Sequence, residues 1–226
     1  MTVMVIFLLL SVPLGAVAAG LLLADRVSPG DPPSADLRYL LVRYALLPGI
    51  FLFVAMFLVR MAFQWGIAYH YTPAGLFLYH LIMDYALWTV LATAGAWVVV
   101  RRVPDTACRD RYLLYLGFFA TVFFLAGATE VILHDGFWTV YPLVVLPLFR
   151  LGIVLVMPLV LALGLGREGD LRLWAVPLVY LPAVTLAAVL FEWLRPLLAL
   201  VVVFLVLALT GGVLYGLFFR DAFRRG

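Results

Sequence analysis

Seven apolar runs, each about 20 residues long, constrain the fold of this chain more than any other feature. An α-helix of that length crosses the ~30 Å hydrocarbon core of a bilayer. Backbone groups in that core must be hydrogen-bonded within their own segment, and no run alternates as a barrel strand does. The predicted helices cover residues 2–24, 39–60, 76–100, 112–133, 139–164, 172–192 and 197–219. The sequence therefore predicts an all-α, polytopic membrane protein in which residues 1–226 form one bundle of seven transmembrane helices.

The charged residues are few, and they lie between the apolar runs. They make up 12% of the chain, against about 25% in soluble domains. All 15 basic residues are arginines, and they fall in short connections, which gives no indication of a nucleic-acid partner. The single cysteine, Cys108, can form neither an intramolecular disulfide nor a thiolate metal site. We expect the lipid bilayer to be the main partner of the chain.

The arginines also predict the orientation. The first, third and fifth connections and the C-terminal residues are rich in arginine, whereas the other side holds only Arg60 and Arg195. Because positive charge stays on the cytoplasmic side, the N-terminus is expected outside and the C-terminus in the cytoplasm. The first run lacks a basic start and is too long for a typical signal peptide, so it is interpreted as a retained helix. A bacterial cytoplasmic (inner) membrane is the expected location.

Two pairs of polar side chains interrupt the third and fourth spans. His80 and Asp84 are four residues apart, as are Glu130 and His134, so each pair shares one helix face. Counted from the cytoplasmic arginines, Asp84 and Glu130 lie at similar depth, about one turn below the outer interface, with both histidines at the interface itself. If the two faces meet, two carboxylates and two imidazoles converge.

The cost of burying charge in a membrane indicates that these carboxylates have a structural or functional role. An ionised carboxylate at the centre of a membrane helix costs roughly 2.5–3.5 kcal/mol, so such groups rarely face lipid. Arg150, well inside the fifth span, is the expected counter-charge, and an ion pair that only holds helices together is an open alternative to a functional site. The candidate residues for binding a ligand or an ion are Asp84, Glu130, His80, His134 and Arg150.

A divalent metal such as zinc is a further possibility at the same place. Imidazole nitrogens and carboxylate oxygens are ligands that zinc accepts, although the spacing is weaker evidence than a motif such as HExxH. The candidate metal ligands are His80, His134, Asp84 and Glu130. The chain has no Walker A motif and no GxSxG. Its expected layout resembles that of microbial rhodopsins in helix count, but the last span, "LALTGGVLYGLFF", has no lysine, which excludes a retinal Schiff base.

Three functional hypotheses follow. The first, which we favour, is a transport protein or an ion- or proton-coupled binding protein for a small solute, with the acid and histidine pocket open to the extracytoplasmic side. The second is a zinc-dependent intramembrane lipid hydrolase, in which His80, His134 and one carboxylate hold the metal and the other carboxylate is the general base. The third is a non-catalytic subunit or sensor that docks another membrane protein or a second copy of the chain.

Overall fold

The computed structural model describes residues 36–64, 72–103, 108–133, 146–164 and 171–193, and the isolated positions 14, 17, 21, 201, 202 and 205. Every regular element in this part of the chain is helical, and it contains no strand. The predicted all-α class is therefore confirmed. Apart from the isolated positions, the predicted spans 2–24 and 197–219 lie outside the described residues.

Five helices can be followed. Helix α1 joins Leu37–Leu41, a π-helical segment at Val42–Leu46, and Leu47–Gln64. Helix α2 joins Pro73–Tyr79, a second π-helical segment at His80–Ala86, and Leu87–Val100. Helix α3 is Cys108–Leu133, helix α4 is Leu146–Gly164, and helix α5 is Ala175–Trp193, which follows a 3-10 turn at Leu171–Trp174.

Three of these helices are long and apolar enough to cross a membrane. The spanning stretches are Leu37–Ala62 in α1, Pro73–Val100 in α2 and Arg109–Thr129 in α3. Helices α4 and α5 contribute the shorter apolar stretches Phe149–Gly164 and Ala175–Leu190. The chain is thus an integral membrane protein by the length and composition of its helices.

Local signals explain where α2 begins. The hydroxyl Oγ1 of Thr72 accepts a hydrogen bond from the backbone N–H of Gly75 at 3.1 Å, and Pro73 occupies the first helical position. Thr is a favourable N-cap, and proline at that position loses no helical hydrogen bond. The helix therefore starts three residues before the predicted boundary at 76.

Helix α3 lies at the centre of the described bundle. It packs against α1, α2 and α4, and 61% of its spanning window is buried, compared with 17% for α1. Helix α2 contacts all four other helices. The outward faces of α1 and α5 carry large apolar side chains, such as Phe51 and Leu178, that are 75% and 73% exposed. These faces suit contact with hydrocarbon.

Helices α1, α2 and α3 meet closely at Gly95. A Cβ atom added there would lie 2.8 Å from Cδ2 of Leu52 and 3.2 Å from Cζ of Phe118. Glycine allows this approach because it has no side chain. Since Gly95 is near the end of α2 and Phe118 is in the first half of α3, the two helices run antiparallel.

Candidate functional site

His80 and Asp84 form a buried hydrogen bond. Nδ1 of His80 lies 2.6 Å from Oδ2 of Asp84, and the two residues are 3% and 6% exposed. Their side chains share a face, as the four-residue spacing predicts. Helix α2 begins at Pro73, so His80 lies about 10 Å along it, and the depth of His80 relative to the outer interface stays a prediction.

The pair occupies the π-helical segment His80–Ala86. Segments of this kind are rare, are found mostly as one-residue bulges in α-helices, and are frequent at functional sites. One extra residue rotates the following residues by about 100° relative to the preceding ones. Here the segment buries four of its side chains, those of His80, Met83, Asp84 and Tyr85.

Arg60, near the end of α1, forms an ion pair with Asp84. Its Nη2 lies 3.8 Å from Oδ1 of Asp84, and its side chain is 13% exposed. At that distance the contact is electrostatic rather than a hydrogen bond. The Arg60 Cζ is also 6.0 Å from the ring centroid of Trp88, which in turn stacks on Phe53 at 6.1 Å. One oxygen of Asp84 thus contacts the imidazole, and the other faces a guanidinium that lies over an indole.

Arg150 brings a second positive charge to the same carboxylate. It is 5% exposed and lies within electrostatic range of Asp84. The preceding residue, Phe149, packs edge-on against Tyr85 with ring centroids 6.1 Å apart, which places this turn of α4 beside the π-helical segment. Because α4 is described from Leu146 onward, Arg150 lies about 6 Å along the described helix.

Arg60 was not predicted from the sequence. Arg150 was the expected counter-charge, whereas the structure places two guanidiniums, from α1 and α4, near Asp84. A signal was available, since Arg60 is one of the two arginines on the side where arginine is rare. An arginine that departs from the charge distribution needs a local partner, and Asp84 lies at the same end of the neighbouring helix.

The other predicted pair is described only in part. The backbone of Glu130 belongs to the last turn of α3, and because α3 runs antiparallel to α2, it lies at the end of the bundle where α2 begins. The side chain of Glu130 and all of His134 lie outside the described residues. The convergence of Glu130 and His134 with His80 and Asp84 stays a prediction.

A metal would have to approach His80 through its other ring nitrogen. Among the described residues, no group of three His, Cys, Asp or Glu side chains could hold a metal ion. The predicted set includes His134 and the Glu130 carboxylate, so zinc binding stays a prediction. Since Nδ1 of His80 is bonded to Asp84, a metal would bind Nε2, and Asp84 would orient the imidazole instead of acting as a ligand.

The site therefore combines one carboxylate, one imidazole and two guanidiniums within an apolar bundle. A histidine beside a carboxylate is an arrangement that proton-binding sites use. Arginine forms strong hydrogen bonds to carboxylates and phosphates. No protein-family model, curated protein or solved structure matches this chain.

Proposed function

We propose that this chain is an integral membrane transport protein, or a proton-coupled binding protein for a small solute, in which the His80–Asp84 pair binds the proton. The observation that supports it is the buried 2.6 Å hydrogen bond between an imidazole and a carboxylate inside a membrane helix. Ionisable groups in that position are costly, and they commonly belong to ion pathways or proton relays.

Protonation changes how the pair interacts with its neighbours. With a neutral His80, the pair carries one negative charge, which attracts Arg60 of α1 and Arg150 of α4. With a protonated His80, the pair is neutral overall, and both attractions weaken. Glu130, on the last turn of α3, and Glu192, on the last turn of α5, are further titratable residues at this end of the described bundle. Binding of a proton would therefore change the relative stability of different packing arrangements of α1 and α4 against α2.

The helices around the pair have breaks that could permit such a movement. The pair lies in a π-helical segment, and Pro158 and Pro182 lie inside α4 and α5. Proline removes a backbone hydrogen bond, and a π-helical turn marks a place where the helical hydrogen-bonding pattern changes. Rotation of a few residues at these points would transmit the change in charge along the helices.

The proposal includes the finer topology. Seven spans with the N-terminus outside and the C-terminus in the cytoplasm of a bacterial cell would put the connection between α2 and α3 in the cytoplasm. That connection is flanked by Arg101, Arg102, Arg109 and Arg111, as the retention of positive charge requires. The His80–Asp84 pair would then face the extracytoplasmic half of the inner membrane, from which a solute would enter.

Proton flux into liposomes tests the proposal. The purified chain is reconstituted with an internal pH-sensitive dye, and a pH gradient is imposed. Wild-type protein is expected to carry protons faster than protein-free liposomes, and Asp84→Asn is expected to abolish the difference. Asp110→Asn is the matched control, because Asp110 is a buried carboxylate, 3% exposed, in the first turn of α3 at the other end of the bundle. Equal flux in wild type and Asp84→Asn would rule out the proton role.

A metal-dependent lipid hydrolase is the second candidate. The observation in its favour is that a carboxylate fixes Nδ1 of His80, which is the usual arrangement behind a metal-binding histidine. Elemental analysis of the purified chain should then give one metal per molecule, and His80→Ala should lose it. Metal-free protein with a Tm that chelators do not change would exclude this candidate.

A further inference from the structure

An apolar groove runs between α1 and α2 at the end of the bundle opposite the His80–Asp84 pair. Its volume is about 730 Å³. One charged side chain, Arg43, contributes to a lining that is otherwise apolar and includes Leu47, Phe51, Leu91, Val98 and Phe118. We call it the Arg43 groove.

Tyrosines hold the guanidinium of Arg43 in place. Nη1 donates a hydrogen bond to the Tyr39 hydroxyl at 2.5 Å, and Cζ lies 5.7 Å and 5.4 Å from the ring centroids of Tyr39 and Tyr44. These contacts fix a planar set of donors that matches phosphate geometry. Arg43 is nevertheless exposed, so the guanidinium is accessible. It lies in the π-helical segment of α1, a type of segment that is frequent at functional sites.

The length of the groove matches one leaflet of a membrane. Arg43 lies opposite Val98 and Val99, close to the end of α2 at Val100 and to the arginines that follow it. From Arg43 to Phe51 the helix rises about 12 Å, and half of a ~30 Å hydrocarbon core is about 15 Å. With α1 and α2 crossing the membrane, Arg43 is expected near the lipid headgroups and the apolar part of the groove toward the middle of the bilayer.

We propose that the Arg43 groove binds an anionic phospholipid of this leaflet. The phosphate accepts hydrogen bonds from the guanidinium of Arg43 and from the O–H of Tyr39, and one acyl chain lies along Leu47, Phe51 and Leu91. Charge complementarity identifies the headgroup, since basic sites between membrane helices bind anionic lipids. The apolar lining of the groove matches an acyl chain of the lipid. This site does not depend on the function proposed for His80 and Asp84.

Lipid-dependent thermal stability of the purified, full-length chain in detergent tests the proposal. Dioleoylphosphatidylglycerol is expected to raise the Tm, and dioleoylphosphatidylcholine is expected to raise it much less. Dihexanoylphosphatidylglycerol has the same headgroup but chains too short to fill the groove, and it should act weakly, as should inorganic phosphate. Equal effects of the two dioleoyl lipids would overturn the proposal, because the headgroup would then not be recognised.

Variants distinguish a specific lipid-binding site from nonspecific attraction of anionic lipid to basic residues. Arg43→Gln is expected to raise the midpoint concentration of the anionic lipid, at which half of the Tm increase is reached, about tenfold or more. The reason is that the variant loses hydrogen bonds to a charged group. Arg38→Gln is the matched control, because Arg38 is an exposed arginine of the same helix that does not line the groove. Arg38→Gln should change the midpoint lipid concentration little. An equal increase in this concentration in the two variants would overturn the proposal.

Tyr39→Phe and native mass spectrometry test the proposed lipid site if Arg43→Gln does not fold. Loss of one hydroxyl donor is expected to raise the midpoint concentration of phosphatidylglycerol about fivefold while leaving the protein folded. The wild-type spectrum should retain one phosphatidylglycerol in preference to phosphatidylcholine. A spectrum without that preference, together with an unaltered response of Tyr39→Phe, would overturn the proposal.

Discussion

The hydroxyl of Tyr180 on α5 occupies the space that Gly152 on α4 leaves empty. A Cβ added to Gly152 would overlap the Tyr180 hydroxyl, which donates a hydrogen bond to the backbone carbonyl of Phe149 at 3.0 Å. Tyr180 and Phe149 are both buried. Because Arg150 follows Phe149, the contact between α4 and α5 helps to determine where this second guanidinium lies near Asp84.

Gly152→Ala is expected to destabilise the protein by about 2 kcal/mol or more, because a methyl group must displace a buried, hydrogen-bonded side chain. Gly127→Ala is the control, since a Cβ on Gly127 meets nothing within 4 Å among the described residues. That change should be neutral or stabilise by up to about 1 kcal/mol through helix propensity. Reversible unfolding in detergent measures both variants. A smaller loss for Gly152→Ala than for Gly127→Ala would contradict the packing described.

Asp84→Asn is expected to destabilise the protein more than Arg60→Gln. The first change removes a buried carboxylate that contacts both His80 and Arg60, and breaking a buried ion pair costs about 3–5 kcal/mol. The second removes a partner that is 3.8 Å away and partly exposed, so about 1 kcal/mol is expected. Unfolding free energies in the same detergent measure the order. The opposite order would mean that Arg60 has a larger role than its contact with Asp84 indicates.

Thr89→Val is expected to stabilise the protein by about 1 kcal/mol. Thr89 is 2% exposed, and its hydroxyl has no hydrogen-bond partner in the part of the chain that the structure describes. Removing a buried hydroxyl of this kind relieves a desolvation cost, and valine has nearly the same shape. The control is Thr185→Val, because the Thr185 hydroxyl donates to the backbone carbonyl of Leu181 at 2.7 Å, so no gain is expected there. Similar unfolding midpoints for the two variants would argue against the assignment at Thr89.

Accessibility of introduced cysteines measures the orientation. In a Cys108→Ser background, cysteines at positions 36 and 102 are expected to react with a membrane-impermeant reagent only from the cytoplasmic side. A cysteine at position 72 should react only from the other side, because Asp36 and Arg102 flank the helix ends opposite to Thr72, and all three residues are exposed. Labelling of positions 72 and 102 from the same side would contradict a membrane-spanning α2, and labelling of positions 36 and 102 from opposite sides would contradict the antiparallel arrangement of α1 and α2.

Hydropathy located the described helices well because the cost of exposing polar backbone in lipid leaves few alternatives. The prediction of 76–100 corresponds to Pro73–Val100, and 112–133 to Cys108–Leu133. The boundaries differ because a hydropathy pattern omits polar first turns. In α3 that turn holds Arg109, Asp110 and Arg111, which are helical although they are charged.

The candidate site was predictable only where its residues are close in sequence. The spacing of His80 and Asp84 predicts their contact, since neighbours on one helix face follow from the chain itself. The pairing of Asp84 with Arg60 depends on how α1 and α2 pack, and 24 positions separate the two residues. The π-helical segment at His80–Ala86 was not predicted, because the polar residues His80 and Asp84 within it indicate a site but not a change in the helical hydrogen-bonding pattern.

The unequal burial of α1 and α3 has a consequence for how this sequence can change over generations. On α3, most substitutions must fit neighbours on several sides at once, so few should survive selection. On the outward face of α1, exchanges among leucine, valine, isoleucine and phenylalanine meet only fluid hydrocarbon and should be tolerated freely. Deep mutational scanning should therefore show a conserved central helix beside a peripheral one whose outer residues drift while their hydrophobicity persists.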